Sequence, residues 1–142
     1  KIGFVSSDRI MREAAPALQA QQRLEKEFEK RDQELQRIAA DLQSMQEELE
    51  RNGLTMNESD RRAKERSFND LSRDFQRRQR EFREDLNQRR NEELAIVLER
   101  ANVAIKKIAQ NEKYDVILQE AVYASPAVDI TEKVIKELNS SR

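Results

Sequence analysis

The chain has 142 residues, enough for one domain, of which 39% are charged and 37% hydrophobic. Its 27 basic and 28 acidic residues nearly cancel, and with only two glycines and two prolines this favours long helices over disorder. A net charge of −1 argues against specific nucleic-acid binding. Because cysteine and histidine are both absent, the chain lacks a thiolate nucleophile and the usual general base. We therefore expect a non-enzyme with no catalytic residue, no metal site and no cofactor.

The first residues predict a strand and a short helix before a long one. The apolar segment at residues 2–5 favours a strand, followed by a turn and a brief helix near residues 9–13. Pro16 suits the first turn of a long helix, where its missing N–H costs nothing. The chain begins with Lys1 rather than methionine, which a removed secretory signal would explain, as would trimming. No apolar run approaches the ~20 residues that span a bilayer.

A heptad pattern indicates that residues 17–51 form one long helix. Apolar side chains recur every seven residues and at companion positions three or four residues away. They are Phe28, Leu35, Leu42 and Leu49 in the main row and Leu24, Ile38 and Met45 in the companion row. Arg31 interrupts the companion row. We leave open whether such charges mark bends or are ordinary surface charge.

The helix is expected to end at Asn52-Gly53, with Gly53 in the left-handed conformation that closes helices. Thr55 and Glu58 fit a capping box that starts a second helix. The connection is short, so residues 52–55 are predicted to be the tip of a helical hairpin.

The returning helix is predicted over residues 57–109 and changes character along its length. Its first half is poor in apolar residues and rich in arginine, whereas the outgoing helix is rich in acids, so antiparallel pairing is favourable. Its second half carries a broad apolar stripe from Leu94 to Ile108, which indicates burial against more than one neighbour. We therefore expect residues 17–93 to form a hairpin arm.

The C-terminal part reads as two strands and a helix. Residues 116–119 and 121–124 are predicted strands joined by a tight turn, and Ser125-Pro126 ends them. Asp129 then caps a last helix with one apolar face. The fold class is thus mainly α with a small β base: residues 1–16 and 94–142 form the base, from which the long antiparallel hairpin arm projects.

The base strands are also the candidates for assembly. Three short strands supply little apolar area for a free-standing core, so we favour burial between subunits over a self-contained sheet. The oligomerisation candidates are Ile2, Phe4, Val116, Ile117, Leu118, Val122 and Tyr123.

Two groups of arm residues are candidates for binding. Aromatic and methionine side chains could contact client chains or could join the two arm helices to each other: Phe28, Met45, Met56, Phe68, Phe75 and Phe82. An arginine cluster could contact acidic segments or lipid phosphates, or could be a solvated helix face paired with the acidic helix: Arg77, Arg78, Arg80 and Arg83.

Several segments together resemble the Skp/OmpH family of periplasmic chaperones. They are the N-terminal Lys-Ile-Gly-Phe-Val, the helix start at Pro16, and the C-terminal Tyr-Asp-x-x-Leu, Val-Tyr-Ala and Asp-Ile-Thr-x-x-Val-Ile-x-x-Leu-Asn patterns. The resemblance covers the whole chain. It implies a periplasmic homotrimer, with the signal peptide removed, whose three arms surround a cavity below a small β-barrel body. It also implies unfolded outer-membrane proteins as clients, and lipopolysaccharide or anionic lipid head groups as further partners, although the near-neutral charge argues against strong attraction to anionic polymers.

The sequence-based hypothesis is an ATP-independent holdase that prevents aggregation of unfolded outer-membrane proteins in a cavity between arms. With Gly3 and Gly53 alone, the chain has no phosphate-binding loop. The alternative is a structural coiled-coil spacer or adaptor that binds a folded partner.

Overall fold

A computed structural model describes residues 1–140, in which two short strands and four helices follow one another. The strands are β1 (Ile2–Phe4) and β2 (Val116–Leu118), and the helices are α1 (Ser7–Glu13), α2 (Ala15–Asn52), α3 (Glu58–Asn111) and α4 (Thr131–Ser140). The predicted fold class, mainly α with long helices and a small β element, is confirmed.

The chain divides into two units. Among the described residues, the mixed unit contains Lys1–Leu24 and residues 89–140, and the hairpin unit contains Glu25–Gln88. The base and arm were expected to meet at residues 16/17 and 93/94. The first turns of α2 belong to the mixed unit because Ala17 and Ala20 form a buried cluster with Val97 of α3.

The N-terminal elements follow their local sequence. The Ser6 side chain caps α1 by accepting a hydrogen bond from the Arg9 amide at 3.3 Å. Pro16 lies in the first turn of α2, as predicted. The Ala15 amide at the start of α2 donates to Asn139 Oδ1 of α4 at 2.7 Å, so one of the unpaired amides of that helix end is satisfied by a distant side chain.

The sheet differs from the prediction. β1 and β2 pair in parallel, with Ile2 opposite Val116 and Phe4 opposite Leu118. On the other edge of β1, the Phe4 amide donates to the Val128 carbonyl at 2.7 Å. The predicted strand at 121–124 is wrong: these residues are irregular, and Val122 and Tyr123 are exposed. The partner of β2 comes from the other end of the chain, and the intervening helices supply the long crossover that parallel pairing requires.

The turn between α2 and α3 also corrects two predictions. Thr55 does not form the capping box, because its hydroxyl donates to the Asn52 carbonyl at 3.0 Å while Asn57 Oδ1 accepts from the Asp60 amide at 2.8 Å. Gly53 does not adopt a positive φ. It is needed for a different reason, since a Cβ there would lie 2.3 Å from the Leu49 carbonyl oxygen.

The core of the mixed unit joins α1, α3, α4 and the residues beside the sheet. Its buried members are Val5, Ile10, Ala14, Ala101, Ala104, Ile105, Ile108, Ile130, Val134, Ile135 and Leu138. Each fully buried valine or isoleucine stabilises the fold by about 1.5–3 kcal/mol. The apolar face predicted for the last helix is confirmed, because this core includes Ile130, Val134, Ile135 and Leu138.

Candidate functional site

One face of the β1–β2 pair is apolar and open. Residues opposite each other in a parallel pair point to the same face and alternate along the strand, so Ile2, Val116, Phe4 and Leu118 share a face. Ile2 is 56% exposed, Val116 47% and Leu118 44%, while Phe4 is half-buried. We call these four residues the assembly face.

The opposite face of the sheet is closed by the mixed unit's own core. Ile117 and Tyr114 pack against that core. A Cβ on Gly3 would lie 3.0 Å from Tyr114 Cε1, so this glycine leaves room for the ring. Of the seven oligomerisation candidates, Ile117 thus faces inward. Val122 and Tyr123 are almost fully exposed in the irregular segment that follows β2.

In the hairpin unit the aromatic candidates lie on the seam between α2 and α3. The rings of Phe28 and Phe82 meet edge to face with centroids 5.6 Å apart. The Arg31 guanidinium lies 5.5 Å from the Phe28 ring and 5.7 Å from the Phe82 ring, and it binds Asp85 at 3.0 Å. The charge that interrupts the heptad row therefore has both aromatic and acidic partners.

The other apolar candidates of the arm are half-buried, and the structure adds one that the sequence analysis missed. Met45, Phe68 and Phe75 are half-buried along the two helices, and Met56 is half-buried beside the turn. Leu54, in the same turn, is 97% exposed. The signal available in the sequence was a large aliphatic residue placed between the predicted turn residues Gly53 and Thr55.

The arginine cluster is partly neutralised within its own helix. Asp74 accepts from Arg77 Nη2 at 2.5 Å and from Arg78 Nε at 2.9 Å. The hydrogen bond from Arg77 lowers the pKa of Asp74, with Arg78 acting in the same direction, and Asp74 in turn raises the pKa of Arg77. Arg80 and Arg83 are exposed, and in the described chain their side chains have no ion-pair partner.

The sequence analysis also missed a buried ion pair in the mixed unit. Glu93 of α3 is only 7% exposed, and its carboxylate accepts from Arg23 Nη2 at 2.9 Å and from Arg89 Nη2 at 3.0 Å. The hydrogen bond from Arg23 lowers the pKa of Glu93, Arg89 adds to the effect, and burial opposes it. This site links α2 to α3 across a long sequence separation, which charge patterning alone does not reveal.

Within residues 1–140, no cluster of three or more acidic side chains is arranged to hold a metal ion. The helices of this same region include none with an apolar stretch long enough to cross a membrane.

Comparisons with known proteins agree on one family. The family model described as outer membrane protein (OmpH-like) matches residues 1–138. The Chaperone protein Skp of Yersinia enterocolitica is 34% identical over 140 residues, which are 97% of this chain and 85% of that protein. The Skp of Pectobacterium atrosepticum is 33% identical with the same coverage. A crystal structure of an OmpH-like protein of Caulobacter crescentus CB15, described as an outer membrane chaperone, matches with a TM-score of 0.80. It is 20% identical over 98% of this chain and 83% of its own, a likeness of fold.

Proposed function

The chain belongs to the OmpH family, and from this membership we propose that it is an ATP-independent holdase that keeps unfolded outer-membrane proteins soluble before membrane assembly. The membership confirms the resemblance drawn from the sequence. The family is non-enzymatic, so the prediction that the chain is not an enzyme is confirmed on that ground. The observation that carries the proposal is the set of curated relatives named Chaperone protein Skp, which match 97% of the chain.

The hairpin unit supports a mechanism of many weak contacts. Its seam carries half-buried apolar side chains, including Phe68, Phe75 and Met56, beside a largely charged surface. Such side chains offer part of their apolar area to a client without a deep pocket that would hold it tightly. A client held in this way is released when its own folding or insertion becomes more favourable.

We also propose that the chain works as a homotrimer in the periplasm, with contacts between subunits at the assembly face. The exposed Ile2, Val116 and Leu118 support this proposal, because an open apolar face on a two-stranded sheet gains free energy when a second copy covers it. Val122 and Tyr123 extend the same apolar region along the sequence. Sedimentation of the purified protein at several concentrations tests it, and a monomer at all of them would contradict it.

Anionic lipid head groups, including those of lipopolysaccharide, are a secondary proposal. It is supported by Arg80 and Arg83, whose side chains have no acidic partner within residues 1–140. Binding to vesicles with and without anionic lipid, compared with the Arg80→Gln/Arg83→Gln double variant, tests this partner.

The main proposal is tested with a client that aggregates. A porin denatured in urea is diluted with and without the protein, with and without ATP and Mg²⁺, and light scattering is followed. We expect near-stoichiometric protein to suppress scattering equally in both nucleotide conditions. A variant lacking residues 35–75, with the helices rejoined by a short turn, is expected to remain an oligomer and to lose protection.

The alternative function is a coiled-coil spacer or adaptor whose hairpin turn binds a folded partner. One observation favours it, namely the 97% exposed Leu54 at that turn. A spacer or adaptor would leave the scattering of the diluted porin unchanged, so the same assay separates the two functions.

A further inference from the structure

The hairpin unit contains a cleft of about 290 Å³ between α2 and α3. Leu35 and Ile38 of α2 and Phe82 of α3 supply its apolar lining, and all three are half-buried. Its volume is just below the roughly 300–1,000 Å³ typical of ligand pockets, so it suits one apolar side chain rather than a whole small molecule.

The cations around this cleft are already engaged. Arg31 binds Asp85 at 3.0 Å, Arg78 binds Asp74 at 2.9 Å, and Arg77 binds Asp74 at 2.5 Å and Glu81 at 3.6 Å. With Glu34 included, three arginines at the cleft stand among four acids (Asp74, Glu81, Asp85 and Glu34), so an incoming carboxylate would meet a net negative charge. The cleft is therefore a poor receptor for an acidic segment despite its three arginines.

The charge that stays open at the cleft is negative. Glu34 lines it and is exposed, and within residues 1–140 its side chain makes no hydrogen bond or ion pair. Lys30 and Arg37 lie about one turn to either side along α2 but do not line the cleft. A cationic side chain held at the cleft would find Glu34 available without breaking an existing pair.

From this arrangement we propose that the cleft is a subsite for extended, unfolded chain, taking one large apolar side chain that has lysine or arginine next to it in sequence. The apolar side chain contacts Leu35, Ile38 and Phe82, and the neighbouring cation lies beside Glu34. The inference rests on the proposed holdase function and adds to it a preference for one class of client segment.

Three short peptides with blocked termini test the inference by NMR titration of the ¹⁵N-labelled full chain. Their central residues are Lys-Phe-Lys, Glu-Phe-Glu and Lys-Ala-Lys, each within the same Gly/Ser flanks. We expect Lys-Phe-Lys to bind about twofold to fivefold more tightly than Glu-Phe-Glu, the range given by exposed charge pairs. We also expect shift changes at residues 31–38 and 77–82, and much weaker binding of Lys-Ala-Lys.

Two matched variants distinguish binding at the cleft from non-specific attraction between the peptide and the acidic surface of α2. Glu34→Gln should abolish the preference for Lys-Phe-Lys, whereas Glu29→Gln, on an exposed position of α2 outside the cleft, should keep it. The inference would be overturned if Glu-Phe-Glu bound as tightly as Lys-Phe-Lys or more tightly, or if Lys-Phe-Lys showed no saturable binding. It would also be overturned if the preference survived Glu34→Gln, or if the shift changes were confined to residues outside 31–38 and 77–82. If the porin assay still shows protection, only the subsite fails. If it shows none, the holdase function itself fails.

Discussion

The mixed unit and the hairpin unit are stabilised in different ways. In the mixed unit, side chains from α1, α3, α4 and the sheet region meet in one core, where Val5 and Val134 are completely buried. Among the described residues of the hairpin unit, Phe28 is the one buried apolar side chain, at 6% exposure, and the rest of its seam is half-buried.

This difference suits the two units to different roles, although α2 and α3 each contribute to both. A core built from distant segments is cooperative, so the mixed unit is expected to fold as a whole. A two-helix seam with half-buried side chains relies on local helix stability and on pairs such as Phe28 with Phe82. Such a seam leaves apolar area available for contact with other chains, which is what the proposed holdase requires.

The largest expected effect comes from placing a charge in the mixed-unit core. Val134→Asp should destabilise that unit by more than about 4 kcal/mol, because the carboxylate would have no partner in an apolar site. The matched change at the fully exposed Val122 should leave the fold intact and instead weaken the proposed oligomer. Urea denaturation and sedimentation measure the two effects. If Val134→Asp were as stable as the parent, the proposed difference between the two units would be wrong. An intact Val122→Asp trimer would contradict a contribution of the segment after β2 to assembly.

A second change removes a buried hydroxyl that ties the N-terminal segment to α4. Thr131 Oγ1 accepts from the Ser6 amide at 2.9 Å and donates to Asp129 at 2.5 Å. Thr131→Val leaves the Ser6 amide without that partner, which should cost about 2 kcal/mol in urea denaturation. Thr131→Ser keeps the hydroxyl and should cost less. A larger loss in Thr131→Ser than in Thr131→Val would show that packing of the methyl group contributes more than the hydrogen bond.

The hairpin unit is tested at its aromatic pair. Phe82→Ala removes the edge-to-face contact with Phe28 and the Arg31 contact, and should lower local stability by about 1–2 kcal/mol. Hydrogen exchange should then quicken within residues 25–88 and stay unchanged in α4. Phe82→Leu, which keeps apolar area without the ring, should show a smaller effect. Faster exchange in α4 to the same extent would mean that the two units unfold together.

The buried ion pair predicts a pH dependence with a definite sign. The folded-state pKa of Glu93 lies below its ordinary value of 4.5 because Arg23 and Arg89 stabilise the carboxylate. The group therefore contributes stability that is fully present above the unfolded pKa and is lost as pH falls through the folded pKa. Glu93→Gln should cost at most about 1 kcal/mol at pH 7, since Arg23 is largely exposed, and should flatten the stability curve below pH 4.5. Melting temperatures between pH 3 and 7 measure it, and an unchanged acid limb would contradict the assignment.

The smallest expected effect is a gain in stability, from a substitution at Lys113. Lys113 follows α3 with a φ of 60°, a conformation that glycine adopts at little cost. Lys113→Gly should stabilise the mixed unit by about 0.5–1 kcal/mol in thermal unfolding, because relief of roughly 1–2 kcal/mol of left-handed strain outweighs the added entropy of glycine in the unfolded chain, roughly 0.5–1 kcal/mol. Lys113→Ala keeps the Cβ and should give no such gain. A loss of stability with glycine would show that the lysine side chain contributes more than its backbone strain costs.

Local sequence determined much of this protein. The seven-residue spacing of Phe28, Leu35, Leu42 and Leu49 predicted α2, and Pro16 and Asn52-Gly53 marked its ends to within about a residue. The sequence left two roles open for Phe28 and Phe82, and their ring contact agrees with the one in which they join the two arm helices. The spacing depends on side chains within about two turns of one helix, and the helix ends depend on single residues, so a linear reading recovers both.

Tertiary structure decided what linear spacing cannot. The β-rich composition of residues 116–124 suggested a local hairpin, but β1 pairs with β2 in parallel and leaves Val122 and Tyr123 exposed, because strand pairing depends on backbone groups far apart in sequence. The register between α2 and α3, which brings Arg23 to Glu93 and leaves Glu34 open at the cleft, is fixed by packing of the whole seam. This helix register does not follow from composition or charge. Many registers of two charged helices are nearly equal in energy until their apolar side chains interlock.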